Sequence, residues 1–359
     1  MSEWRDSSAP IRAGEELDGA KLRSWLQGEL GTDPGELEIT QFPSGYSNLT
    51  YSVRAGDQQW VLRRPPFGSK VKSAHDMGRE YKILSALHGS YGKVPRPVAH
   101  CEDDSVLGAS FYLMERVQGI ILRPKMPEGM IPDPETMGGI ARSLVSSLAE
   151  LHAVDVNEVG LGDFGRPEGY VQRQVEGWAK RYEASKTDDI PEMTKVAAWL
   201  SENRPPESGV ALIHNDFKYD NLVLAEDDWT RITAVLDWEM ATVGDPLMDL
   251  GTSLGYWIHP GDPDMMRKLS LSPTSLPGNP SRADIVQQYA EETGRDPGNG
   301  VFYYAYGLFK IGVIVQQIYY RFVKGLTQDK RFAQLGFVVR GCAMSAALAI
   351  DKGRIDDLY

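Results

Sequence analysis

At 359 residues the chain exceeds what one hydrophobic core comfortably organises, and it predicts two lobes with a core each. Hydrophobic residues make up 42% and charged residues 25%, the range of a globular protein, and a net charge of −12 argues against a broad nucleic-acid or anionic-membrane footprint. Two cysteines, Cys101 and Cys342, exclude a disulfide framework and a cysteine-based zinc site.

Residues 1–15 read as a loose, polar terminus without the apolar run of a secretion signal, so the expected location is the cytoplasm. Leu17–Leu30 carries Leu17, Leu22, Trp25, Leu26 and Leu30 on an approximate helical face. Strands are expected at Glu38–Phe42, Thr50–Ala55 and Trp60–Arg64, separated by turn signals at Pro43-Ser44-Gly45 and Gly56-Asp57. Ala74–Leu87 has helical spacing, and further strands follow around Ala99 and over Ser110–Val117. A small, mostly antiparallel sheet with one long helix is thus complete by about residue 117.

The remainder is mainly helical. Helices are expected at Pro134–Ala153, Tyr170–Ser185, Met193–Asn203, Pro246–Tyr256, Arg282–Thr293, Val301–Lys324 and Arg331–Lys352. The stretch Val301–Val323 is apolar, but Lys310, Gln316, Gln317 and Arg321 interrupt it and argue against a membrane span. His259–Ser281, rich in Pro, Gly and Ser, is expected to be a long mobile connection.

The chemistry sits in Leu212-Ile213-His214-Asn215-Asp216-Phe217-Lys218-Tyr219-Asp220-Asn221-Leu222-Val223-Leu224. An apolar lead-in delivers His-x-Asp, Asn follows at the spacing of a kinase catalytic loop, and a second strand, Thr233–Leu236, ends in Asp237. In that layout Asp216 accepts the proton of the substrate hydroxyl or orients it, and Asn221 and Asp237 are hard oxygen ligands for Mg2+. Lys218 is placed to neutralise the transferring phosphoryl group, and His214 to orient the loop rather than act as a base. The pattern predicts phosphoryl transfer from ATP.

The nucleotide end is expected in the first lobe. Ser44, Gly45, Ser47 and Asn48 lie between two strands, where small and turn-forming residues let backbone N–H groups approach phosphate. Arg63 occupies the third-strand position where a kinase places its phosphate-binding lysine, with Glu80 as its natural ion-pair partner. Glu115 and Val117 lie in the expected hinge, residues 115–118, where main-chain groups would bind adenine. The lobes are then 1–117 and 118–359, a two-lobed α+β fold of the protein-kinase type. Gly244-Asp245-Pro246 follows Asp237 too closely to leave room for a peptide-docking segment, so the acceptor is expected to be a small molecule with a hydroxyl. Asp245 and Asp249 read as structural, tying the helix after Pro246 to the catalytic loop.

Taken together, these motifs resemble the aminoglycoside phosphotransferase family, whose members share a protein-kinase-like fold. The chain is most similar to the branch fused to certain acyl-CoA dehydrogenases. The likeness runs through residues 44–48, Val61-Leu62-Arg63-Arg64-Pro65-Pro66, Phe111–Arg116, the catalytic loop, Val235–Glu239, Gly244–Leu250 and Phe309-Lys310, and covers nearly everything beyond residue 35. In that branch an arginine on the third strand is usual. The resemblance implies ATP and Mg2+ as cofactors and an alcohol as acceptor: an aminoglycoside, a choline-like alcohol, a sugar or a hydroxyacyl-CoA. Lys310, Arg321, Lys324, Lys330 and Arg331 are candidates for CoA phosphates or for a solvated face, and Tyr256 and Trp257 are the local hint of a cage for a choline-like group. A nucleotide-binding pseudokinase and a non-catalytic interaction domain are the alternatives.

Overall fold

The computed structural model describes residues 8–43, 48–67, 76–124, 126, 129–263, 266–267, 272–327 and 329–359. The chain divides into two compact units. The first holds residues 1–121 together with 222–239, and the second holds 122–221 and 240–359. The first break lies close to the expected one at 117/118. The expected division did not have 222–239 returning to the first unit.

The first unit is built on a five-stranded antiparallel sheet. Its strands are β1 (Glu38–Gln41), β2 (Leu49–Ala55), β3 (Gln58–Arg64), β4 (Pro97–Cys101) and β5 (Phe111–Glu115), in the order β1-β2-β3-β5-β4. Tyr51 and Val53 of β2 and Leu62 of β3 are fully buried and pack with Leu22 and Leu26 of helix α1 (Gly19–Leu30). Helix α2 (Met77–Leu87) starts on Asp76, whose carboxylate accepts from the Arg79 N–H, and turns Ile83, Leu84 and Leu87 inward. A single turn, α3 (Asp104–Leu107), joins β4 to β5.

After β5 the chain runs through Gly119, whose φ of 156° and close approach to the Leu224 carbonyl leave no room for a Cβ. This allows Ile120 and Leu224 to exchange backbone hydrogen bonds of 2.9 and 2.8 Å. Leu224 belongs to the hairpin of β7 (Leu222–Leu224) and β8 (Ile232–Val235). The Val235 N–H donates to the Lys93 carbonyl, and Trp238 meets Tyr91 edge-on, so Asp237 is delivered on a segment built into this unit.

The second unit is helical around a two-stranded sheet of β6 (Ala211–Ile213) and β9 (Thr242–Gly244). Its helices are α4 (Pro134–His152), α5 (Tyr170–Ser185), α6 (Pro191–Glu202), α7 (Pro246–Gly255), α8 (Arg282–Thr293), α9 (Val301–Val323) and α10 (Leu335–Lys352). Helices α7 and α9 cross so closely that a Cβ on Gly307 would run into the Gly251 carbonyl, and one on Gly251 into that of Tyr303. Among the described residues two helices, Val301–Val323 and Lys330–Lys352, are long and apolar enough to cross a membrane by length and composition alone. The first is buried from Val301 to Val313, as the central helix of a core would be.

The expected mobile connection between residues 259 and 281 is instead tied down at its described residues. Ile258 and Thr274 exchange hydrogen bonds of 2.9 Å, Trp257 Nε1 donates to the Pro280 carbonyl, and the buried Arg282 guanidinium pairs with Asp262. Pro and Gly content alone did not reveal that Asp262 closes this segment with a buried ion pair.

Candidate active site

In the first unit Arg63 lies at the end of β3, buried, with its guanidinium among three carboxylates. Both terminal nitrogens donate to Asp237 Oδ1 at 3.0 Å, Nη1 lies 3.3 Å from Glu80 Oε2, and Nη2 lies 3.5 Å from Glu239 Oε2. The expected Arg63–Glu80 ion pair is therefore present. The partners are tied to one another as well. Tyr112 Oη donates to Glu80 Oε2 at 2.8 Å, and Asn48 Nδ2 donates to Glu80 Oε1 and Glu239 Oε2 at 3.2 and 3.0 Å. Burial works against the Arg63 charge, yet Glu80 and Asp237 outweigh it and hold the guanidinium charged. The same burial pushes the Glu80 carboxyl above the usual carboxylate range, with Arg63 offsetting part of that push.

Asp237 adopts a left-handed backbone conformation, φ 67°, and so does Asn215 in the second unit, φ 66°. Non-glycine residues held there gather at functional positions, and Asp and Asn are the types that tolerate the conformation best. Of the remaining first-unit candidates, Glu115 pairs with Arg96 on the surface, Val117 lies partly buried just after β5, and Ser44, Gly45 and Ser47 fall outside the described residues.

In the second unit the segment that carries His214, Asp216, Lys218 and Asn221 leaves β6 and is held from behind by Asp249 of α7. Its carboxylate accepts from the His214 N–H, the Asn215 N–H and His152 Nε2 at 2.7, 2.7 and 3.1 Å. Burial alone would raise the pKa of Asp249, but His152 and the backbone donors more than offset it, and the carboxyl sits below its usual range. Asp245 caps α7 through the Leu247 and Met248 N–H groups and accepts from Ser208. The reading of Asp245 and Asp249 as structural agrees with these contacts. Replacing Asp249 with Ala would strip three buried donors of their acceptor, and a loss of about 3–5 kcal/mol of stability is expected. Urea unfolding measures it, and a loss below about 1 kcal/mol would show that Asp249 does not anchor the segment.

Asp216 itself is divided between two tasks. Its Oδ2 accepts from Lys218 Nζ at 2.7 Å and from Asn221 Nδ2 at 2.9 Å. Its Oδ1 is buried and has no hydrogen-bond partner among the described residues. A buried carboxylate oxygen left open is costly unless something else is meant to bond to it. Lys218 also lies over the Tyr256 ring, 4.7 Å from its centre, and Asp220 is paired with Arg123. His214 has its Nδ1 3.3 Å from the Asp216 N–H, so its ring bonds the loop backbone. Sequence reasoning assigned no role to Glu239 or His152. Glu239 stood in view beside Asp237, and what was lacking was the geometry that turns it toward Arg63.

Comparison with known proteins adds the family. The model of the phosphotransferase enzyme family (APH) matches residues 38–277, two thirds of the chain. The chain belongs to this family. Among curated relatives, acyl-CoA dehydrogenase family member 11 of Rattus norvegicus is 37% identical over 309 residues, 85% of this chain and 39% of that protein. Acyl-CoA dehydrogenase family member 10 of Mus musculus is 34% identical over 340 residues, 94% of this chain and 31% of that one. The chain thus spans roughly a third to two fifths of the length of these relatives. A solved structure of a Ralstonia eutropha JMP134 protein assigned to the aminoglycoside phosphotransferases superposes with a TM-score of 0.80 at 32% identity, over 94% of this chain and 99% of that one. An aminoglycoside phosphotransferase crystallised with AMP-PNP and hygromycin B gives a TM-score of 0.56 at 16% identity, covering 89% and 98%, and shows a shared fold. The fold is therefore the α+β, kinase-like fold of the phosphotransferases.

Proposed function

We propose that this phosphotransferase is an ATP- and Mg2+-dependent small-molecule kinase that moves the γ-phosphoryl group of ATP onto an alcohol. The observation that carries the reading is the open, buried Oδ1 of Asp216 beside an Oδ2 held by Lys218 and Asn221. One oxygen is fixed, and the other is left to accept from a hydroxyl. In this role Asp216 orients the acceptor and takes its proton, and Lys218 lowers the cost of negative charge near the transferred group.

The donor chemistry of the first unit fits a divalent cation: the Asp237 carboxylate is a hard oxygen donor, partly exposed, on a left-handed backbone. Among the described residues no group of three or more His, Cys, Asp or Glu side chains is arranged to hold a metal. Mg2+ carried on a nucleotide takes one or two protein oxygens and completes its shell with phosphates and water. Asp237 and Asn221 would be those ligands, and the ion would supply charge neutralisation at the phosphates. Arg63, already charged, would contact phosphate oxygens.

For the acceptor, hydroxyacyl-CoA thioesters are the first class to test, because the relatives that share this region are named acyl-CoA dehydrogenases. The hint of a choline cage weakens. Trp257 is buried with its N–H bonded to Pro280, and the Tyr256 ring already carries Lys218. A pseudokinase reading draws on the Arg63–Asp237 pair, which occupies a metal ligand with a guanidinium. ATP turnover dependent on an alcohol acceptor would exclude it.

Arg63→Ala is expected to weaken ATP binding about tenfold or more, and Arg63→Lys to retain part of it as a point charge. Titration calorimetry with Mg2+-ATP measures both. Unchanged affinity in both variants would remove Arg63 from the phosphate site.

A further inference from the structure

We propose that Lys310 is a positioning residue for phosphoryl transfer: it holds the left-handed Asn215 turn that aims Asp216. The inference rests on the kinase reading of Asp216 given above. It concerns a residue that sequence reasoning considered for CoA phosphates or for a solvated face.

The structure excludes both of those roles. Lys310 lies midway along α9 with 1% of its surface exposed. Its Nζ donates to the Asn215 carbonyl and to Asn215 Oδ1, both at 2.9 Å, and to Thr252 Oγ1 at 3.4 Å. These three bonds use all three donors of an ammonium, and two of them converge on the residue just before Asp216. Asn215 is gripped from the other side as well. Its Nδ2 donates to Tyr170 Oη and the Met240 carbonyl at 3.3 and 3.2 Å, and its N–H to Asp249. An Asn at φ 66° can be held by such contacts, whereas free in a chain it would spend little time there.

All three acceptors of Lys310 are neutral, so its charge is stabilised by dipoles and by groups further away. The charged groups around it are Asp249 of α7, Asp216 and Lys218 of the catalytic segment, and Arg181 of α5. Burial dominates over the favourable pull of Asp249 and Asp216 and lowers the Lys310 pKa to about 8. The sign follows from linkage. Unfolded, the lysine keeps its proton to a pH near its ordinary value. Between about 8 and that value the unfolded state binds more protons, and this group makes stability rise with pH. Over the same interval the neutral amine has one donor fewer and no charge, so the grip on Asn215 loosens. Stability and turnover should therefore move in opposite directions.

The test compares the whole chain with Lys310→Met, which cannot donate, and Lys310→Gln, a donor that does not titrate here. Three quantities are read. With Mg2+-ATP, alone or with an acceptor, kcat of Lys310→Met should fall about 10–100-fold with the KM for ATP within about twofold, as expected when a group beside the chemistry is misplaced. The wild-type kcat should decline above about pH 8, and that limb should vanish in Lys310→Gln. Hydrogen exchange of residues 211–221 in Lys310→Met at pH 7 should be faster than in the wild type, and the urea midpoint of the wild type should rise relative to Lys310→Met between pH 8 and 10. Unchanged exchange together with parallel urea curves would overturn the Lys310 assignment, as would folded variants with wild-type kcat and an intact alkaline limb. Faster exchange and diverging curves in a protein that turns over no ATP would leave the grip on Asn215 standing and overturn its role in phosphoryl transfer, the kinase reading having failed.

Discussion

Asp216→Asn is expected to lower kcat for phosphoryl transfer by roughly 10²–10⁴ while leaving ATP affinity little changed. The substitution keeps the shape of the side chain. With Lys218 Nζ and Asn221 Nδ2 both donating toward Oδ2, the amide must turn its oxygen to them. Its NH2 then takes the place of the open Oδ1, and a donor meets the acceptor hydroxyl where an acceptor is needed. In a loose transition state proton removal comes late, so most of the loss is in positioning and charge. Single-turnover kinetics alongside an ATP titration measure the two parts. An unchanged chemical step would refute the base role, and a large loss of ATP affinity would place Asp216 among the metal ligands instead.

Asp237→Ala should abolish Mg2+-dependent transfer, a fall of more than about 10³, because the triphosphate charge loses a hard oxygen ligand. The fold should survive. Arg63 loses its two 3.0 Å bonds but keeps Glu80 and Glu239, and Ala at φ 67° costs on the order of 1–2 kcal/mol. Asp237→Asn separates the two effects, since Asn tolerates the left-handed backbone and lacks the charge. Both variants should show a thermal unfolding midpoint within several degrees of the wild type and a Mg2+ requirement shifted beyond reach. Near wild-type turnover in folded Asp237→Ala would remove it from the metal site.

Much of this was legible in the sequence because several signals agreed over the same residues. The apolar alternation in β2 and the helical spacing in α4 and α5 each mark a face for burial, and the elements form where those faces meet. The His214–Asn221 segment was legible because its polar residues stand between two apolar strands with no structural need for them. What was not legible depended on tertiary placement. Short strands such as β7 and β8 carry no mark of which core they join, so the return of 222–239 to the first unit could not be read from periodicity. Glu239 differs from a surface acid only by facing Arg63.

Lys310 shows how such a signal can be misread. In sequence, a lysine within an apolar helix argues against a membrane span and offers itself to phosphates. The stricter inference was available: a charge at a position whose helical neighbours are all core must be bonded inside. Its partners, Asn215 and Thr252, lie far away in sequence, and nothing local names them.

The proposed reaction is transfer of the γ-phosphoryl group from ATP to an alcohol. It is tested most directly by incubating the chain with γ-labelled ATP, with and without Mg2+, against hydroxyacyl-CoAs, aminoglycosides and amino alcohols. The expected result is Mg2+-dependent release of ADP with the label recovered on one acceptor class, hydroxyacyl-CoA first, and no transfer by Asp216→Asn beyond a trace. ATP bound but never consumed with any alcohol, or consumed equally well by Asp216→Asn, would contradict it.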